Sequence, residues 1–127
     1  MGNGTSIGRV RGLGAAHSGS DHWLVIRYTA IGSMLLTVWF GVSILLLPNL
    51  GHATVLEWLA RPVPATAMAL FILVNIWHAR LGIQVVIEDY VHEHANKFAA
   101  ITALNLLSFA GAAFGLFCVI RLALGGA

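Results

Sequence analysis

The chain has 127 residues, of which 58% are hydrophobic and only 9% charged, and its mean hydropathy is +0.84. Such a composition excludes an ordinary water-soluble domain and makes lipid the expected solvent. Seven basic and five acidic residues give a formal charge of +2, no nucleic-acid partner is expected, and the single Cys118 supports neither an internal disulfide nor a thiolate-held iron–sulfur cluster.

Residues 1–21 are rich in glycine, serine and other small residues and show no hydrophobic period, so they read as a flexible arm. Their basic residues run directly into an apolar stretch too long for the core of a cleaved secretory signal. Residues 22–127 then read as one transmembrane domain with three spans. The first runs over about residues 23–47, where Pro48, Asn49 and Gly51 stop it. The second covers about residues 64–90 and opens on prolines that a first helical turn tolerates. The third covers about residues 98–122 and carries Gly111 and Gly115 at the spacing of a small-residue packing face. Each stretch matches the roughly 30 Å hydrocarbon thickness. Three spans satisfy their backbone amides as helices and are too few to close a barrel, so the expected class is all-α, within a larger multi-subunit helical bundle.

Arg9, Arg11 and Arg27 precede or open the first span, and Lys97 lies in the second connection. Only Arg61 in the first connection and Arg121 near the end oppose them, which predicts a cytoplasmic N-terminus and a periplasmic C-terminus.

The second span is the least apolar, interrupted by Asn75, His78, Arg80 and Gln84. Polar groups at this depth usually face protein, cofactor or water. At about 100° per residue, His78, Gly82, Val85 and Asp89 fall within about 60° of one another, with His92 just beyond. A histidine followed one turn later by glycine has room for a flat macrocycle against the helix, as an axial haem ligand requires. A histidine hydrogen-bonded to a neighbouring helix is the alternative. A second stripe, Arg80, Gln84 and Glu88, lies on nearly the opposite face and reads as a salt-bridged seam against a partner helix. Trp23 and Trp58 suit the membrane interface, whereas Trp39 and Trp77 read as packing residues deeper in the bundle.

Two segments carry a family likeness. Residues 77–92, WHARLGIQVVIEDYVH, resemble the second-helix signature of the small hydrophobic membrane-anchor subunits of succinate dehydrogenase, complex II, in which a histidine is followed eleven and twelve residues later by Asp-Tyr. Residues 22–31, HWLVIRYTAI, are similar to that family's entry to its first helix, with an arginine ahead of Thr-Ala-Ile. The resemblance spans about residues 17–95, and the second motif is specific because histidine, glycine and Asp-Tyr-Val occur together in one membrane helix.

The resemblance implies that His78 is one axial ligand of a haem b and that Tyr90 donates a hydrogen bond to a ubiquinone carbonyl, with Asp89 supporting the quinone pocket. It places Arg27 near the haem propionates or the quinone, with His17 and His22 assisting. It further implies a bacterial inner-membrane location and three partners: a second membrane anchor subunit supplying the other axial ligand, an iron–sulfur subunit and a flavoprotein subunit. No catalytic residue for succinate itself is expected in this chain. The rival readings are the anchor of a quinol:fumarate reductase, a small ion-coupled transporter and a non-redox scaffold. The transporter reading is weakened by the lack of an embedded acid in the first span.

Overall fold

A computed structural model describes residues 19–125. Four helices follow in order: α1 Gly19–Leu45, α2 His52–Leu59, α3 Pro62–Tyr90 and α4 His94–Ala123. Three of them, α1, α3 and α4, are long and apolar enough to cross a membrane, and no strand occurs among the described residues. The chain is therefore an all-α, multi-pass membrane protein. The observed spans start a few residues earlier than the sequence limits, because interfacial residues such as Asp21 and His94 continue the helical hydrogen bonding beyond the apolar core.

Short connections fix the neighbours. After α1 the chain turns at Pro48, and the Asn49 side-chain oxygen accepts from the Gly51 amide at 2.9 Å and the Thr54 hydroxyl at 2.7 Å. That loop closes tightly enough that a Cβ on Gly51 would lie 2.8 Å from Asn49 Oδ1. The short helix α2 lies inside what the sequence suggested was a connection. Its Trp58 ring stacks on Trp39 at 5.8 Å and meets Phe40 at 6.5 Å, while Phe40 stacks on Phe71 of α3 at 5.4 Å. An eight-residue helix has little stability of its own, so this aromatic cluster holds it. At the other membrane face, α3 and α4 are joined through Val91–Glu93 only. There Lys97 Nζ donates to the Glu88 main-chain carbonyl at 2.9 Å, satisfying one of the unpaired carbonyls at the α3 C-terminus with a cation.

α1 and α4 both pack on α3, and their backbones do not approach each other. Counting around α3 at about 100° per residue, the α1-facing residues Phe71, Asn75 and His78 and the α4-facing residues Ile72, Ile76 and Arg80 are centred about 130° apart. The three spans thus form one layer with α3 in the middle. Buried side chains are few, Ala65, Leu81 and Val119 being the apolar ones, and most large hydrophobic residues point outward. Lipid tails are as apolar as leucine, so burial of such residues does not drive helix association in a bilayer. Small residues and polar pairs do that here. Gly115 sits against Ile72, Gly111 against Ile76 and Gly32 against Val74, so the glycine pair expected from its spacing does face α3. Among the described residues, side chain meets side chain through polar contacts between spans at Thr29–His78, Ser33–Asn75 and Arg80–Asn105. At an average of about 0.6 kcal/mol each they supply roughly 2 kcal/mol together, so close packing at the glycines has to carry the rest.

Candidate functional site

α1 and α3 touch along a line of contacts that includes His78. Starting from the α2 side of the membrane, the contacts are Phe40 with Phe71, then Ser33 with Asn75 and Gly32 with Val74, then Thr29 with His78. Ser33 Oγ donates to Asn75 Oδ1 at 2.6 Å, and the Asn75 amide donates to the Phe71 carbonyl at 2.8 Å. Beyond His78 the same face of α3 continues as Gly82, Val85 and Asp89, and all three are exposed. A Cβ built on Gly82 meets nothing within 4 Å among the described residues. The Gly82 side of α3 is therefore open beside the Thr29–His78 contact, a wedge of space next to a helix face that stays buried at Leu81.

His78 is half-buried at the apex of this wedge, its Nδ1 lying 3.1 Å from Thr29 Oγ1. The Thr29 hydroxyl also lies 2.8 Å from the Val25 carbonyl and 3.0 Å from the Ile26 carbonyl. A hydroxyl has one proton, and the carbonyls can only accept it. With that proton on the main chain, the oxygen accepts from Nδ1–H of His78, and the ring's lone pair resides on Nε2. Neutral imidazole with a free Nε2 is the form that ligates a metal. The contact meets the reading of a histidine hydrogen-bonded to a neighbouring helix, and the other ring nitrogen has no hydrogen-bond partner among the described residues. A flat macrocycle also has space at this turn, because Gly82 presents neither a side chain nor a described neighbour. The donor set fits one axial haem ligand, while no group of three or more metal-binding side chains occurs among the described residues.

The remaining sequence-predicted residues do not converge on His78. Asp89 lies on the same face but about 16 Å along the helix, and Tyr90 is turned about 120° from it. Tyr90 is 79% exposed, and His92 Nδ1 lies 3.2 Å from its main-chain oxygen. Arg27 falls on the face of α1 about 160° from Thr29, and its guanidinium lies 4.0 Å from the centre of the Trp23 ring. His22 is half-buried and within about 20° of the Thr29 direction, on the α1 side of the wedge. His17 lies outside the described residues.

The expected salt-bridged stripe is different in kind. Arg80 Nε donates to Asn105 Oδ1 of α4 at 2.6 Å and its guanidinium lies 5.5 Å from the Trp77 ring centre, with no carboxylate partner among the described residues. Gln84 Nε2 donates to Glu88 Oε1 at 2.7 Å within α3. The seam is therefore a hydrogen bond inside this chain at Arg80. Trp77 is not packed inside the three helices either; it is 52% exposed and lines a groove of about 700 Å³ between α3 and α4 with Arg80, Asn105 and Phe109. That groove is on the opposite side of α3 from His78.

Sequence reasoning missed Thr29 as a member of the site. The available signal was a stripe on α1, Thr29, Ser33 and Thr37, spaced by four and able to face the histidine and asparagine of an antiparallel α3.

The description "Succinate dehydrogenase/Fumarate reductase transmembrane subunit" belongs to the family whose pattern matches residues 1–112. Among similar proteins, the succinate dehydrogenase hydrophobic membrane anchor subunit of Rickettsia bellii is 34% identical over 102 residues, covering 80% of this chain and 82% of the relative. The subunit of the same description from Paracoccus denitrificans is 30% identical over 114 residues, covering 90% and 88%. The succinate dehydrogenase membrane anchor subunit of Reclinomonas americana is 33% identical over 95 residues, covering 72% and 78%. No solved structure matches the chain. The chain belongs to the succinate dehydrogenase/fumarate reductase transmembrane subunit family.

Proposed function

We propose that this chain is the small membrane anchor of a bacterial inner-membrane succinate:ubiquinone oxidoreductase, and that it holds one side of a haem b and part of the ubiquinone-reduction site. The observation that carries the reading is His78 at the apex of the α1–α3 wedge, with Nδ1 engaged by Thr29 and with open space at Gly82. His78 would hold the iron through Nε2, and a second anchor subunit would supply the opposite ligand. When bound, the haem supplies a one-electron redox centre tuned by its axial ligands and their hydrogen bonds.

Succinate oxidation takes place in the flavoprotein subunit, and an iron–sulfur subunit delivers the electrons to ubiquinone. Quinone reduction takes up two protons with two electrons, so groups able to donate hydrogen bonds and exchange protons belong near the aqueous end of a span. Tyr90 and Asp89 have that position in α3. The Tyr90 phenol donates to a quinone carbonyl as charge develops on the oxygen, and Asp89 orders the water that supplies protons. Arg27, on the outer face of α1, contributes a fixed cation for negative groups at the edge of the site.

The test is His78→Ala in the assembled complex. Loss of the low-spin b-type spectrum, or its conversion to high spin, is the expected result, whereas an unchanged low-spin spectrum overturns ligation by His78. Steady-state rates of succinate oxidation and fumarate reduction on the same preparation separate the two directions covered by the family description.

A further inference from the structure

We propose that Thr29 is the positioning residue for His78: its hydroxyl fixes the imidazole tautomer and ring orientation from the neighbouring helix. The inference rests on the reading of His78 as a haem ligand and concerns a residue on a different span. Thr29 lies 49 positions from His78 in sequence and meets it through one contact of 3.1 Å.

Three features make that contact directional. The Thr29 hydroxyl proton is held by its own helix, since the Val25 and Ile26 carbonyls stand 2.8 and 3.0 Å away. Threonine in a helix adopts this rotamer because its oxygen can bond the carbonyls three and four residues back. The oxygen is left with acceptor capacity only, so the imidazole must present N–H at Nδ1 and its lone pair at Nε2. Finally, the next residue on the His78 face is Gly82, around which nothing described lies within 4 Å of a Cβ. Among the described residues no other side chain hydrogen-bonds the ring, and the hydroxyl is the element of the wedge that stops it from rotating or changing tautomer.

A hydrogen bond accepted from the non-ligating nitrogen raises the donor strength of the imidazole, which favours the oxidised metal. Removing the acceptor weakens ligation and raises the midpoint potential. Loss of such a supporting contact typically lowers metal affinity about tenfold or more. If the loss falls on the oxidised form alone, each tenfold change raises a one-electron potential by about 59 mV.

Thr29→Val keeps the branched shape and removes the oxygen, while Thr29→Ser keeps the oxygen and removes the methyl group. In the assembled complex, Thr29→Val should retain about tenfold less haem against a competing apo-protein and show a raised haem midpoint potential. Thr29→Ser should stay near wild type. Should Thr29→Val fail to assemble, Thr29→Ala against Thr29→Ser gives the same comparison, since that pair differs only in the hydroxyl. If Thr29→Val (or Thr29→Ala in its place) keeps wild-type haem retention and potential while His78→Ala loses the low-spin spectrum, the Thr29 proposal is wrong and the ligand reading stands. Equal losses in the serine variant and the oxygen-free variant likewise overturn it, because a loss that the retained oxygen does not prevent is not caused by a missing acceptor. A low-spin spectrum that survives His78→Ala removes the parent reading and this proposal with it.

Discussion

Replacing Gly82 by leucine separates what this chain needs from what a bound macrocycle needs. Nothing among the described residues lies within 4 Å of a Cβ at this position, and the residue is exposed. Glycine in a helix interior is less favourable than leucine by about 0.5–0.8 kcal/mol, so the three-helix fold should be as stable with leucine or slightly more so. A haem plane held by His78 one turn away would meet the four added carbons. Overpacking of that kind costs about 1–3 kcal/mol, which at 1.4 kcal/mol per tenfold is roughly a 5- to 150-fold loss of haem affinity. The assay is haem content per purified complex with the reduced-minus-oxidised spectrum, read beside thermal unfolding of the same sample. Gly41→Leu is the control, because its Cβ direction is equally open and it lies in the distant half of α1. Expected is normal unfolding with depleted haem in Gly82→Leu and normal values of both in Gly41→Leu. Wild-type haem content in Gly82→Leu would refute the placement of a macrocycle on this turn.

Gly115→Ala should destabilise the bundle by about 1–3 kcal/mol, since the new methyl would lie 2.8 Å from Ile72 Cγ2, a methyl on a β-branched side chain that a helix holds in one rotamer. Gly111→Ala, with Ile76 at 3.8 Å, should be nearly neutral, and equal melting of the two variants would show that the α3–α4 contact is looser than these distances imply. Tyr90→Phe should reduce succinate-driven ubiquinone reduction about tenfold or more, the effect of losing a hydrogen bond of roughly 1.5 kcal/mol, while leaving reduction of an artificial acceptor upstream of the quinone unchanged. Near-wild-type rates in both assays would leave Tyr90 as an interfacial anchor only. A reporter fused after Ala127 should be active in the periplasm, and cytoplasmic activity would reverse the orientation drawn from the basic residues.

The three spans were legible because each is a continuous apolar run, and the glycine pair on α4 because its spacing of four keeps both residues on one face. The short helix α2 was not, since Pro48, Gly51 and Pro62 bracket a segment too short to be helical on propensity alone. Its helix depends on Trp58 reaching Trp39, a contact between elements that no local pattern contains. His78 and Gly82 could be identified from spacing and resemblance, but their surroundings could not. Whether Gly82 faces space or a neighbour depends on how α1 packs on α3. Arg80 shows the same limit from the other side: charge patterning suggested an ion pair, whereas the partner on α4 is the neutral Asn105.

Exposure alone says little about partners for a protein in lipid, because Leu106, Phe109 or Phe114 on α4 is as comfortable against acyl chains as against another helix. Polar and open positions discriminate better. Ser33 and Asn75 satisfy each other, so the half of the α1–α3 contact nearer α2 makes no further demand. Beyond that point, among the described residues, His78 keeps one nitrogen unengaged, Gly82 leaves a gap, and Arg80 has one hydrogen bond for a guanidinium with five donors. An embedded cation and an open turn are costly if left to hydrocarbon. These residues all lie in the half of α3 that leads to the α3–α4 turn, on two nearly opposite faces. A single partner helix cannot cover both, because α1 and α4 already flank α3 and stand between them. An element that covers the wedge at His78 is therefore not the one that covers the groove at Arg80. That separation makes variants at Asn105 or Arg80 expected to alter assembly without shifting the haem potential, whereas variants at Thr29 or Gly82 should shift haem binding without loss of assembly.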